Sequence, residues 1–129
     1  MQTDDALKGF CRAFESKDEA EIVTRFDPKG ICELPLIGGR LVGHGEIRAG
    51  FMRAFSVVDR CAIERLALKS EGTITIAEGR LHAKLYRDDR QMDAPLAIVM
   101  IGNGGRIVRL SIYLDARPFR LWSDGPIFG

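Results

Sequence analysis

The sequence predicts an α+β fold in which three N-terminal helices pack on one face of a curved antiparallel sheet. Apolar residues recur every three or four positions in the first part of the chain, which is the spacing of amphipathic helices. From Val57 onward, short apolar runs are separated by turn residues, as in strands joined by hairpins. Helices that come first and a strand meander that follows favour the α+β class. With 129 residues, we expect a single domain over residues 1–129.

The three helices are predicted from their caps and from apolar spacing. Thr3 is suited to cap the first helix, and Asp18 with Glu21 resembles a capping box that opens a second, short helix. The turn residues 27–30 are expected to end that second helix. The third helix follows at 43–55. The expected core positions are Leu7, Phe10, Cys11 and Phe14 in the first helix, Ile22, Val23 and Phe26 in the second, and Ile47, Phe51, Ala54 and Phe55 in the third.

The strands are predicted from branched residues and from the turns between them. A short hairpin is expected around Gly38-Gly39, with Pro35 at an edge position because proline cannot donate to a sheet ladder. Four further runs, at 57–69, 73–86, 93–101 and 106–115, form the predicted meander. Pro118 and Pro126 prevent a regular element in the apolar tail 116–129, which we expect to pack against the helices, a partner subunit or the mouth of the cavity.

Composition and charge exclude several classes of protein. The chain is 46% hydrophobic and 29% charged, which excludes a disordered or collagen-like chain. A net charge of +1 disfavours a protein that holds nucleic acid through phosphate contacts. The longest apolar run, Leu96 to Ile101, is too short to span a bilayer, and no secretory signal is visible. The three cysteines fit buried free thiols, so we expect a cytoplasmic protein that binds neither nucleic acid nor membrane.

Three stretches of the sequence resemble the nuclear transport factor 2-like superfamily, in particular its SnoaL-like and ketosteroid-isomerase-like branches. They are the segment 17–22, the glycine-then-helix entry at 43–47, and the segment from Gly105 to Asp115. The resemblance implies a cone of bent sheet closed by helices, commonly dimeric through the sheet. It also implies a cavity in the cone, where small-molecule sites are usually found. The superfamily includes isomerases, cyclases, epoxide hydrolases and proteins without catalysis, so the fold alone does not decide function.

The catalytic residues of the better-known branches do not carry over to this sequence. Where the isomerases have a tyrosine and two acids, the resemblance places Phe10, Leu34 and Ala97. Where limonene-type epoxide hydrolases have their last aspartate, it places Ile112. None of these side chains can transfer a proton. Neither mechanism is therefore expected in its usual form.

One predicted strand, 73–86, carries candidate catalytic residues. Side chains alternate across a strand, so Glu78, Arg80 and His82 share one face. If that face lines the cone, Glu78 is a candidate acid or base, Arg80 an anion clamp and His82 a proton carrier. Ile74 and Ile76 have the same parity, which supports this interpretation. The alternative is that Leu81, Ala83 and Leu85 form the core while the charged residues face water.

The function predicted from these observations is a small homodimeric pocket protein that binds a mostly apolar small molecule. Catalysis is left open; if present, it is cofactor-free acid–base chemistry of an isomerase, cyclase or hydrolase type. The alternative is a non-catalytic ligand-binding or dimerisation module with an inert cavity. No cofactor or metal is expected, because there are only two histidines and no HxH or HExxH spacing. The candidate contacts to the small molecule are Phe10, Phe14, Leu34, Phe51, Arg80, Ala97, Leu110 and Ile112.

The homodimer is predicted to form through the sheet. Both faces of the strand 73–86 carry apolar side chains, which a sheet with one face in water would not need. An exposed apolar surface of that size usually marks an interface.

Overall fold

The computed structural model describes residues 3–115, and the predicted packing of the tail 116–129 lies outside the described residues. The helices are α1 (Thr3–Glu15), α2 (Glu19–Arg25) and α3 (Gly43–Val57), and a short 3-10 turn spans Pro35–Ile37. The strands are β1 (Phe26–Leu34), β2 (Gly39–Val42), β3 (Val58–Glu71), β4 (Ile74–Leu85), β5 (Asp88–Asn103) and β6 (Arg106–Leu114). None of the helices in this part of the chain is long and apolar enough to cross a membrane.

The strands form one six-stranded open sheet in the order β2-β1-β6-β5-β4-β3. The α+β class, the three helices and the hairpin meander from β3 to β6 are therefore confirmed. One pair differs from the fully antiparallel expectation, since β1 and β6 run parallel. The chain leaves β1 through β2 and α3, and the meander brings β6 back beside β1 in the same direction. Such a long crossover is what a parallel pair requires.

The segment 27–30 continues β1 as an irregular strand and does not form the predicted turn. Phe26 pairs with Ile107 and Ile31 pairs with Arg109, so the intervening residues of β1 are accommodated as a bulge. The amide of Lys29 donates to the Asp27 carboxylate within this bulge. The second helix consequently ends at Arg25, and Phe26 is buried as the first residue of β1. Pro35 lies in the 3-10 turn of the predicted hairpin, next to Gly38 with a φ of 74°.

The hydrophobic core lies between the helices and one face of the sheet, which we call the inner face. α1 packs mainly on β3 and α3 mainly on β1. Four rings, Phe10, Phe14, Phe51 and Phe55, join α1 to α3 with centroid separations of 5.7–6.4 Å. Stacked, edge-on and tilted ring contacts of this kind add to the stabilisation that burial provides. We call the whole region between the helices and the inner face, the core included, the interior.

A bulge in β3 sets which of its side chains face the interior. The pairing of β3 with β4 shifts between Arg65 and Ala67, so Leu66 is the extra residue. Gly79 of β4 lies opposite this irregularity, and a Cβ added there would collide with the carbonyl oxygen of Glu64. Glycine is therefore needed at 79 for the two backbones to approach each other.

Candidate functional site

The structure places Glu78, Arg80 and His82 on the face opposite the core, which we call the outer face. Their neighbours in β4 on the inner face, from Ala77 to Leu85, are buried. Of the two orientations left open by the sequence, the structure therefore shows the second, in which Leu81, Ala83 and Leu85 form the core. The interpretation that the three charged side chains line the interior is wrong. The side chains of β4 alternate between the two faces without interruption, because the bulge lies in the partner strand β3. Residues with the parity of Glu78 therefore all lie opposite the buried Ala77, Leu81 and Leu85. A catalytic role for Glu78 and His82 stays a prediction that this orientation does not favour.

Arg80 and His82 belong to an ionic cluster on the outer face. His82 lies between two carboxylates, with Nε2 2.9 Å from Glu64 Oε1 and Nδ1 3.2 Å from Asp93 Oδ2. Arg80 donates to the same Asp93 through Nε at 2.6 Å. This hydrogen bond lowers the pKa of the Asp93 carboxyl below its usual value. Glu78 is paired in register with Ala97, one row away from this cluster. The arrangement cross-links β3, β4 and β5.

His82 also borders an open groove of about 490 Å³. Most of the residues that line the groove have charged or polar side chains, among them the Lys84–Asp59 ion pair with an N–O separation of 3.3 Å. Its lining residues are Glu15, Asp59, Arg60, Cys61, Ala62, His82, Ala83, Lys84 and Gln91. This lining differs from the apolar wall predicted for a ligand site. Within the part of the chain that the structure describes, no three His, Cys, Asp or Glu side chains are grouped as metal ligands.

The predicted apolar contact residues separate into three groups. Phe10, Phe51 and Leu110 are completely buried, so they belong to the packed core. Leu34 and Ile112 face the interior but keep a small exposure, 9% and 8%, and Phe14 is partly buried against the core. Ala97 is on the outer face, since it alternates with buried Leu96 and Ile98. Ala97 pairs in register with Glu78, and paired residues share one face of the sheet. The prediction that Ala97 lines the interior is therefore wrong.

Along one row of paired residues, side chains on the inner face remain slightly exposed to solvent. Arg65 pairs with Gly79, Gly79 with Leu96, and Leu96 with Leu114, so the four residues cross β3 to β6 side by side. Leu96 and Leu114 keep 5% and 8% exposure, and Leu81 in the next row keeps 7%. These side chains therefore border space that solvent reaches. We call Leu34, Leu81, Leu96, Ile112 and Leu114 the leucine wall.

Arg65 is the residue that sequence analysis missed. It is exposed, yet it lies on the same face as buried Gly79 and beside the Cys11 thiol of α1. The sequence contains one signal of this orientation. Arg65 is odd-numbered, like the apolar residues Cys61 and Ile63 before it. The apolar residues that follow, Leu66 and Leu68, are even-numbered, and such a change of parity indicates a bulge after Arg65.

The three cysteines are buried free thiols, as predicted. Burial raises the pKa of Cys32 to about 12 and that of Cys61 to about 11. Burial also raises the pKa of Cys11, although the Arg65 guanidinium opposes this shift. Nucleophilic chemistry requires the thiolate, so these environments suit packing better than covalent catalysis.

A second ionic cluster lies on β1 and β6. Glu33 accepts hydrogen bonds from Arg109 Nε at 3.0 Å and from the Ser111 hydroxyl at 2.9 Å. The Arg109 hydrogen bond is the main reason why the pKa of Glu33 lies below its usual value, and Ser111 lowers it further. The Glu33 side chain is only 13% exposed. The cluster therefore ties the two parallel strands together with a largely shielded carboxylate.

Glu33→Gln is expected to lower the free energy of unfolding by about 1 kcal/mol at neutral pH, because the charged acceptor of Arg109 is lost. The folded state depresses the Glu33 pKa, so the stabilisation exists above the ordinary value of 4.5 and is lost as the pH falls through the folded value. Urea unfolding from pH 7 down to pH 3 measures this. Glu71→Gln, at an exposed position of β3, is the control and should change little. A deficit that is independent of pH would contradict the assignment.

The described elements define a class of protein: an α+β cone in which three helices cover the inner face of an open six-stranded sheet. The SnoaL-like domain model matches residues 7–110, and the chain belongs to this family. The family resemblance expected from the sequence is thereby confirmed. No curated protein matches the chain.

Solved structures confirm the fold. A protein with a ketosteroid isomerase-like fold from Catenulispora acidiphila DSM 44928, in complex with trimethylamine, has a TM-score of 0.83 at 15% identity, covering 95% of this chain and 94% of that one. A candidate polyketide cyclase from Xanthomonas campestris pv. campestris has a TM-score of 0.82 at 15% identity, with 93% and 95% covered. An epoxide hydrolase of M. tuberculosis, of the LEH-like type, has a TM-score of 0.76 at 15% identity, with 88% and 83% covered.

Proposed function

We propose that the protein binds a mostly apolar small molecule in the interior, against the leucine wall. The observation that carries this proposal is the residual exposure of the wall. Leu81, Leu96 and Leu114 point toward the helices, yet they are less completely buried than Leu110 and Met100. Apolar side chains that border accessible space gain free energy when an apolar molecule displaces the water there.

The chemistry of the inner face supports binding more than proton transfer. Among the described residues, the inner-face positions of β3 to β6 carry no histidine and no carboxylate. Acid–base catalysis most often uses such a group within hydrogen-bonding reach of the substrate. The proposal is therefore a ligand-binding protein, the second of the two functions compatible with the sequence. The similar structures described as a polyketide cyclase and an epoxide hydrolase support a small molecule as the ligand.

We also propose a homodimer joined through the outer face. Ile74 and Ile76 are 43% and 52% exposed, and they pair with the half-buried Ile101 and Val99 of β5. Tyr113, 39% exposed, extends the same surface on β6. A contiguous apolar surface on a sheet is typical of an interface.

The fluorescence of N-phenyl-1-naphthylamine, which rises in apolar surroundings, tests the binding proposal. Saturable binding with one probe per chain is expected. Ile112→Trp fills the space in front of the wall and should weaken binding by about tenfold, equivalent to about 1.4 kcal/mol. Tyr113→Trp, one residue away on the outer face, is the matched control and should bind as the wild type does. Leu96→Phe is a milder second variant in case Ile112→Trp lowers stability, which far-ultraviolet circular dichroism reports.

Two results would contradict the binding proposal. The first is the absence of saturable probe binding to the folded wild type. The second is an equal loss of affinity in Ile112→Trp and Tyr113→Trp, because the interior would then not be where the probe binds.

A further inference from the structure

We infer that the molecule bound in the interior carries a carboxylate, and that Arg65 at the rim of the leucine wall pairs with it. The inference rests on the proposed function and specifies the chemical class of the ligand. It follows from three features of the structure: the face on which Arg65 lies, its exposure, and its electrostatic surroundings.

The register places Arg65 on the inner face. It pairs with Gly79, and Gly79 pairs with Leu96 in the adjacent strand. Because Gly79 has no side chain, the next side chain along this row after Arg65 is that of Leu96. On the helix side, the guanidinium lies beside the buried Cys11 of α1. Arg65 therefore borders the interior from the edge strand of the sheet.

The exposure of Arg65 places it at the rim. Its neighbours on the inner face of β3, Cys61 and Ile63, are buried, whereas Arg65 itself is exposed. The guanidinium can thus remain hydrated when the interior has no ligand, which avoids the cost of an unpaired buried charge. A carboxylate on a ligand would meet it where the apolar wall ends.

The charges around Arg65 leave it available for such an anion. In the described residues, no carboxylate lies within ion-pair distance of Arg65. The nearby Glu15 carboxylate is engaged as acceptor for the backbone amide of Ile63, at 2.9 Å. A guanidinium matches the two oxygens of a carboxylate with two parallel hydrogen bonds. Next to an apolar wall, these bonds are less screened than in water.

The test compares 1-naphthylacetic acid with 1-naphthylacetamide, which have the same shape but differ in charge at neutral pH. Their affinities are measured by displacement of N-phenyl-1-naphthylamine. The wild type is expected to bind the acid about tenfold more tightly than the amide, a difference of about 1.4 kcal/mol. Arg65→Met should abolish this preference, because it weakens binding of the acid much more than binding of the amide. Arg65→Lys should keep part of it, because the charge remains but the paired geometry is lost.

Arg60→Met is the matched control, since Arg60 is an exposed cation on the same strand that lines the groove beside His82 instead. It should retain the preference for the acid. A preference that survives in Arg65→Met, or that disappears in Arg60→Met, would overturn the inference. Absence of displaceable probe from the wild type would contradict the proposed function itself. The two failures are therefore distinguishable.

Discussion

Replacing Phe51 by alanine is expected to lower the free energy of unfolding by about 3–5 kcal/mol. Phe51 is completely buried, and its ring lies 5.8–6.4 Å, centroid to centroid, from the rings of Phe10, Phe14 and Phe55. Removing the ring forfeits its transfer free energy and leaves a cavity at the junction of α1 and α3. Urea unfolding followed by circular dichroism measures the change. A loss of this size is a large part of the stability of a typical domain.

The neighbouring residue provides the control for this prediction. Met52 is half exposed on the same helix, so Met52→Ala should change the free energy of unfolding by no more than about 0.5 kcal/mol. A loss below about 1 kcal/mol for Phe51→Ala would mean that its ring borders open space, as a ligand contact would. That result would contradict the assignment of Phe51 to the packed core.

Ile76→Lys is expected to convert a dimer into a monomer. The wild type should have twice the chain mass of 14.3 kDa in light scattering or sedimentation. Ile76 is central in the exposed apolar surface of the outer face, between Ile74 and the paired Val99. In a homodimer built on this surface, the substitution introduces two buried ammonium groups, and each unpaired buried charge costs several kcal/mol. The dissociation constant should therefore rise by about 100-fold or more.

A substitution on the opposite side of the molecule is the control for the dimer. Met52→Lys adds the same charge to the exposed side of α3, so the dimer should persist. A monomeric wild type, or an Ile76→Lys variant with an unchanged dissociation constant, would contradict the proposed interface. Far-ultraviolet circular dichroism confirms that each variant is folded.

The elements could be predicted from sequence because local physical chemistry determines them. The spacing of Leu7, Phe10 and Phe14 fixes the buried side of α1, and turn residues fix the meander. The parallel pairing of β1 with β6 could not be predicted, because it depends on a long crossover whose path is set by packing of α3. The irregular strand at 27–30 was missed because a segment rich in turn residues can also form a bulge.

The candidate site was harder to predict because both faces of β4 carry apolar residues. Ile74 and Ile76 have the parity of Glu78, which favoured an inward orientation of the charged residues. The proposed interface would account for the same two isoleucines without burying a charge. Whether the odd-numbered or the even-numbered residues of a strand face the core depends on how the strands pair. The bulge at Leu66 switches this assignment within β3 and leaves β4 unchanged. Arg65 precedes the bulge and keeps the parity of the buried Cys61 and Ile63, so it lies on the inner face.

A methyl-labelled NMR titration with N-phenyl-1-naphthylamine tests the central claim most directly, since it reports which face of the sheet the molecule contacts. Leucine and isoleucine methyl groups occur on both faces: Leu96, Ile112 and Leu114 on the wall, and Ile74 and Ile76 on the outer face. The predicted result is a saturable shift of the wall methyl resonances with those of Ile74 and Ile76 unchanged. Shifts confined to Ile74 and Ile76, with the wall unaffected, would contradict the account.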